Sequence, residues 1–168
     1  MAKEEEFIEA QGPAFAAHLF RRLSDDLVEA ARHWYEICGV EAPARTSSIL
    51  LALDDRGPLG VTDLAEILRQ SHQLVLQWIR LLRDLGLVRS APDRVDARRT
   101  LVSLTRKGRR EVEKLRLALQ AIDRATSRWI EEAHPGLHDS LWRLERSNRE
   151  RPFLARIQEA AEADRKPS

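Results

Sequence analysis

Residues 62–105 read TDLAEILRQSHQLVLQWIRLLRDLGLVRSAPDRVDARRTLVSLT, and the changes of period inside this stretch decide the fold. Thr62 is placed to cap a helix by accepting a backbone N–H, and Asp63 suits the positive end of that helix's dipole. Leu64, Ala65, Ile67 and Leu68 supply its core face. Arg69 and Gln70 make a turn, and Ser71 is a second N-cap. From there a helix is predicted over about 72–85, with Val75, Ile79 and Leu82 on one stripe, Trp78 and Leu85 beside them, and Gly86 as the stop. Two short helices joined by a few polar residues, the second freshly capped and amphipathic, describe a helix-turn-helix. After Gly86 the period changes from 3.6 to 2. Residues 87–90 and 99–104 read as strands, the second rich in β-formers. The segment between them is polar, basic and turn-prone. A hairpin placed directly after a helix-turn-helix is a wing.

Outward from this centre the chain reads as helical. Toward the N-terminus, Pro13 suits a helix start, and Phe15, Leu19, Leu23, Leu27, Ala31 and Trp34 recur at helical spacing up to Gly39. One long helix over about 13–38 is predicted. Phe20, Val28 and Tyr35 widen its apolar stripe beyond what one small core needs, which points to a subunit contact. Pro43 opens a second helix, with Ile49, Leu50 and Leu53 on its buried side, and Asp54 to Pro58 end it. Val61 is placed in a short strand. Beyond the hairpin, Thr105 caps a long helix through Val112, Leu115, Leu119, Ile122 and Trp129, which His134-Pro135-Gly136 breaks. Leu137, Leu141, Trp142 and Leu144 begin a last helical region, which Pro152 interrupts and Phe153, Leu154 and Ile157 continue. The tail, 164–168, is expected to be disordered. The fold class is therefore mainly α with a small β-wing. The expected organisation is an N-terminal dimerisation helix (1–42), a winged helix-turn-helix (43–105) and C-terminal dimerisation helices with a tail (106–168).

Composition narrows the function. The 168 residues carry a net charge of only +1, but the charge is unevenly spread. Residues 89–110 hold eight basic side chains against Asp93 and Asp96, a local +6, so the remainder carries −5. Such a split is either a solvated surface or a face for a polyanion. No apolar run of about 18 residues is present, so no membrane span is expected. The acidic start and the single Cys38 suggest a reducing, cytoplasmic setting. Cys38 reads as an inert, buried thiol. No nucleophile elbow, zinc-protease helix, phosphate loop or dinucleotide fingerprint occurs, so no enzyme activity and no cofactor are expected. His134 and His138 have ligand-like separation, but Pro135 and Gly136 disrupt the helical face a metal would need, and no metal is expected.

Four pieces occur in order: Leu64-Ala65 to Ser71, Leu82-Arg83-Asp84-Leu85-Gly86-Leu87-Val88, Asp96-Ala97-Arg98-Arg99, and Leu104-Thr105-Arg106-Lys107-Gly108-Arg109. Together, over roughly residues 45–115, they resemble the MarR family of transcriptional regulators. The resemblance implies a homodimeric repressor on a pseudo-palindromic duplex operator. Here the helix after Ser71 would enter the major groove, presenting Ser71, His72, Gln73, Leu74 and Gln77. Gln73 and Gln77 suit paired bonds to adenine, and Leu74 suits a thymine methyl. Leu74, Leu76 and Gln77 depart from the Thr, Ser and Arg common in the family. Arg98 holds the family's wing-arginine position, with Arg94 and Arg99 adding phosphate contacts. Asp96 would steady the wing's arginine or a turn amide. The family often binds small aromatic or anionic effectors in a crevice beside the winged domain, and His33, Trp34 and Arg45 are the residues this resemblance places there. The competing reading is a winged-helix protein-interaction module without specific DNA binding, with Leu74 and Leu76 as its contact patch.

Overall fold

The computed structural model describes residues 7–93, 95–96 and 98–163. Arg94 and the 164–168 tail, both subjects of sequence expectations, lie outside them. Contacts divide the chain into two compact units at Ala121/Ile122.

In the first unit a short α1 (Phe7–Ala10) leads into a 3-10 turn, Gly12–Phe15, and then α2 (Ala16–Ile37). The long helix thus starts later than Pro13. Phe15 has φ −100° and ψ 14°, outside the helical region, so regular helix begins only after it. At the other end Gly39 takes φ +67°, and the Val40 N–H returns to the Tyr35 carbonyl at 2.9 Å. That left-handed stop suits glycine because no Cβ opposes it. Pro43 opens a further 3-10 turn, Ala44–Thr46, before α3 (Ser47–Arg56). The short strand β1 is Leu59–Gly60, so Val61 lies at the start of α4 (Val61–Leu68) and not in the strand. Gly60, not Thr62, is the N-cap, and the Asp63 carboxylate accepts from the Gly60 N–H at 2.9 Å. The acid three residues after Gly60 closes the cap that a threonine was expected to make.

The helix-turn-helix is completed by α5 (His72–Asp84), and the hairpin by β2 (Val88–Pro92) and β3 (Thr100–Leu104). The sheet is antiparallel in the order β1-β3-β2, with Leu59 opposite Val102 and Val88 opposite Leu104. Val102 and Leu104 alternate inward, as period 2 requires. They meet Ile49 and Leu50 of α3, Leu64 of α4, Val75, Ile79 and Leu82 of α5, Leu87, and Val112 and Leu115 of α6 (Arg106–Ala133) as one buried core.

Polar clasps from α6 hold the loop after α2. Glu111 is 2% exposed, and its Oε1 accepts from the Ala42 N–H at 2.9 Å and from the Glu41 N–H. Lys114 donates to the Gly39 carbonyl at 2.9 Å. Lys107 reaches Glu41 at 2.6 Å and the Leu85 carbonyl at 3.0 Å. Its hydrogen bond holds the Glu41 carboxyl below the usual carboxylate range. A buried acceptor that serves two backbone N–H groups is expensive to weaken. Glu111→Gln keeps the shape but removes the charge from both bonds, and is expected to cost about 1 kcal/mol. Urea unfolding followed by circular dichroism would show it; an unchanged midpoint would mean the loop does not depend on this carboxylate.

The second unit holds the end of α6, α7 (Leu137–Glu150) and α8 (Phe153–Ala163). Gly136, at φ +75°, caps α7. Neither α7 nor α8 has a buried residue, although Leu141, Trp142, Leu144, Phe153, Leu154 and Ile157 lie on them. Among the described residues no helix is long and apolar enough to cross a membrane.

Candidate nucleic-acid interface

The start of α5 is set by Ser71, whose Oγ accepts from the Leu74 N–H at 3.2 Å. The turn before it depends on Arg69, which takes φ +52°, and on the Gln70 N–H returning to the Ala65 carbonyl at 3.0 Å. Val75, Ile79 and Leu82 face the core, which turns Ser71, His72, Gln73, Gln77 and Arg80 to solvent. Leu74 and Leu76 are half-buried. The exposed face of α5 is therefore more polar than its sequence suggested.

The wing tip is tied by short-range bonds. Asp93 Oδ1 accepts from the Val95 N–H at 2.9 Å. Asp96 Oδ1 accepts from the Arg98 backbone N–H at 3.1 Å and from its Nε at 3.2 Å. One carboxylate thus orients both the turn and the arginine, while the Arg98 side chain stays 92% exposed. Arg99 is placed differently. Its Nη2 meets Asp63 Oδ2 at 2.7 Å, the same oxygen that caps α4. The two arginines in the turn before β3 diverge: Arg98 projects outward and Arg99 latches the wing to the N-terminus of α4. The partner of Arg99 was not legible in the sequence, because it lies 36 positions away.

A winged helix-turn-helix of this geometry can be compared with known proteins. Residues 42–99 match the sequence profile of the MarR family. The chain carries a MarR-family winged domain. Solved structures extend the likeness of fold beyond the profile. The chain is 25% identical to Bordetella bronchiseptica BpsR, whose DNA binding is regulated by 6-hydroxynicotinic acid; the match covers 78% of this chain and 90% of that one, with a TM-score of 0.64. It is 22% identical to MepR of S. aureus, solved as a DNA complex, over 78% and 96% of the two chains at a TM-score of 0.67. The transcriptional repressor CouR, from Rhodococcus jostii RHA1 and solved on a 23-mer duplex, is 19% identical over 87% and 98%, at a TM-score of 0.66. No match was found among curated protein sequences. The MarR-family motif Leu-Thr-x-x-Gly-Arg also gains a physical reason here. Thr105 Oγ1 donates to the Gly86 carbonyl at 2.7 Å and accepts from the Gly108 N–H at 3.0 Å, which seats α6 on the exit of α5.

A second concavity, of about 580 Å³, lies between α2 and the winged elements, lined by Asp25, Asp26, Val28, Glu29, Arg32, Arg45, Trp78 and Leu81 among others. Of the three residues expected at an effector pocket, only Arg45 is there. Trp34 faces α6, where its Nε1 donates to the Ala118 carbonyl at 3.1 Å. His33 is exposed, with Nδ1 3.1 Å from the Glu29 carbonyl. The helical period explains the place of Trp34: Asp25, Val28, Glu29 and Arg32 share one face of α2, and residue 34 lies on the opposite side. Trp78, which the sequence placed beside the core stripe, is a wall of this cleft.

Proposed function

We propose that this protein is a homodimeric, sequence-specific DNA-binding transcriptional regulator that acts as a repressor and is released by a small-molecule effector. The observation that carries the reading is the pairing of two exposed elements. The groove-facing side of α5 offers Gln73 and Gln77, and the wing offers an outward Arg98 held by Asp96. Glutamine amides make paired bonds to adenine in the major groove, and a wing arginine suits the adjacent minor groove or phosphates. His72 and Ser71 stand at the helix start, where phosphates are favoured. Arg94 is assigned to the same phosphate-contacting group, and Arg99 holds the wing's position.

Dimerisation is supported by what the helices leave bare. Phe15, Leu19, Phe20, Leu23 and Leu27 of the N-terminal segment are exposed, as are the apolar residues of α7 and α8. Large apolar surfaces of this kind mark association sites. Residues 1–42 and 106–168 are accordingly assigned to dimerisation and 43–105 to DNA. A two-fold protein reads two half-sites, about 34–36 Å apart. The cleft against Trp78 and Arg45 is assigned to the effector, since a ligand there touches α5 from behind and biases its position. The half-buried state of Leu74 and Leu76 weakens the protein-docking alternative.

The test is binding to the gene's own upstream region against random duplex over a range of salt. With ~6–10 phosphate contacts per dimer, affinity should fall by ~10³–10⁵ between 50 and 200 mM salt. Binding that is weak and blind to sequence would overturn the reading. Within a selective complex, Gln73→Ala is expected to cost about 1–3 kcal/mol and to relax one base position per half-site. A selection from randomised duplexes would reveal the relaxed position; an unchanged consensus would remove Gln73 from the readout.

A further inference from the structure

The cleft between α2 and α5 has a charge pattern that narrows its ligand. Two arginines line it, and both are engaged. Arg45 Nη2 lies 3.1 Å from Asp25 Oδ1. Arg32 donates to both oxygens of Glu29, at 3.0 and 2.7 Å, and to Glu36 at 2.5 Å. Asp26 has no basic partner among the described residues, and it lines the same cleft. The cleft therefore carries three carboxylates against two guanidinium groups that are already matched. Its remaining walls are mostly apolar, from Val28, Pro43, Ala44, Leu81 and Trp78, with Thr46 as the one further polar residue, its Oγ1 donating to the Pro43 carbonyl.

We infer that this cleft selects a lipophilic organic cation, with the ligand's charge at Asp26 and its hydrocarbon or aryl part against Trp78 and Leu81. The inference rests on the cleft being the effector site. A volume near 580 Å³ suits a small organic molecule. A cation gains from the unmatched carboxylate and from the neighbouring indole of Trp78. An anion would have to take an arginine from its carboxylate and would leave that carboxylate beside it. The sequence resemblance suggested aromatic or anionic effectors; the pairing of Arg32 and Arg45 disfavours the anionic half of that expectation.

The experiment uses the full chain and two probes of one aryl frame, naphthylmethyl-trimethylammonium and naphthylacetate, titrated by calorimetry without DNA. The cation is expected to bind about tenfold more tightly than the anion. Asp26→Lys, at an exposed position outside the DNA-facing elements, is expected to weaken the cation at least fivefold and to narrow or reverse the preference. Equal affinities, tighter binding of naphthylacetate, no binding of either probe, or an Asp26→Lys protein with unchanged preference would each overturn the proposal. DNA binding without probes is measured in parallel. If it is intact while naphthylacetate binds and releases DNA, the effector reading stands and only the charge assignment fails. If neither probe binds, the cleft loses its ligand and the DNA-binding reading stands by itself.

Discussion

Gly108→Ala is expected to destabilise the protein by about 3 kcal/mol, the upper part of the range for overpacking a close contact. A Cβ on Gly108 would stand 2.0 Å from the Leu87 carbonyl oxygen and 3.0 Å from its carbonyl carbon. Backbone cannot swing aside as a flexible side chain does. Neither partner is free to retreat, because the Thr105 N–H is bonded to the same Leu87 oxygen at 2.9 Å and Thr105 Oγ1 bridges Gly86 and Gly108. Leu87 itself is fully buried. For a chain of this size, about 3 kcal/mol corresponds to a melting temperature lower by roughly 6–12 °C. Scanning calorimetry would measure it. A variant melting within a degree of the wild type would mean that α6 shifts on the Gly86–Leu87 exit at little cost, and the close seat would lose its importance.

Arg98→Ala addresses function with little risk to the fold. The side chain is 92% exposed, and Asp96, the carboxylate it meets, lies two residues away. If the wing reaches DNA as proposed, a dimer loses two cationic contacts at once. Affinity for every duplex, specific or random, is expected to fall ~10–100-fold at 150 mM salt, and the salt slope to shrink by about one per lost contact. Fluorescence anisotropy on labelled duplexes gives both quantities. Affinity and slope equal to wild type would remove Arg98 from the interface. Loss of affinity for one sequence alone would instead make it a base reader. The neighbouring Arg99 is the useful contrast, since its bond to Asp63 ties the wing to α4 and its removal disturbs the wing's position first.

Much of this was legible in the chain because the signals are local. The stripe of Val75, Ile79 and Leu82, the cap at Ser71, the stop at Gly86 and the switch to period 2 at Leu87 each depend on residues a few positions apart. The wing's Asp96-x-Arg98 pair is equally short in range. The ends of elements were harder to read. Thr62 and Gly60 are both reasonable caps, and the choice between them fell to Asp63, whose oxygen also serves Arg99. Pro13 suited a helix start, but it opened a 3-10 turn.

By itself the sequence determined the helix-turn-helix, its wing and the polar residues of the exposed face of α5, though not the partial burial of Leu74, since hydrophobic period and capping are written in neighbouring residues. Only the tertiary structure decided which side chains share a site. Glu111 clasps Glu41 and Ala42 from 69 or more positions away, Trp34 turns to Ala118, and Trp78 joins Asp26 and Arg45 around one cleft. Those meetings depend on how whole helices pack against each other. Packing direction is a property of the assembled core, and no short window of the chain records it.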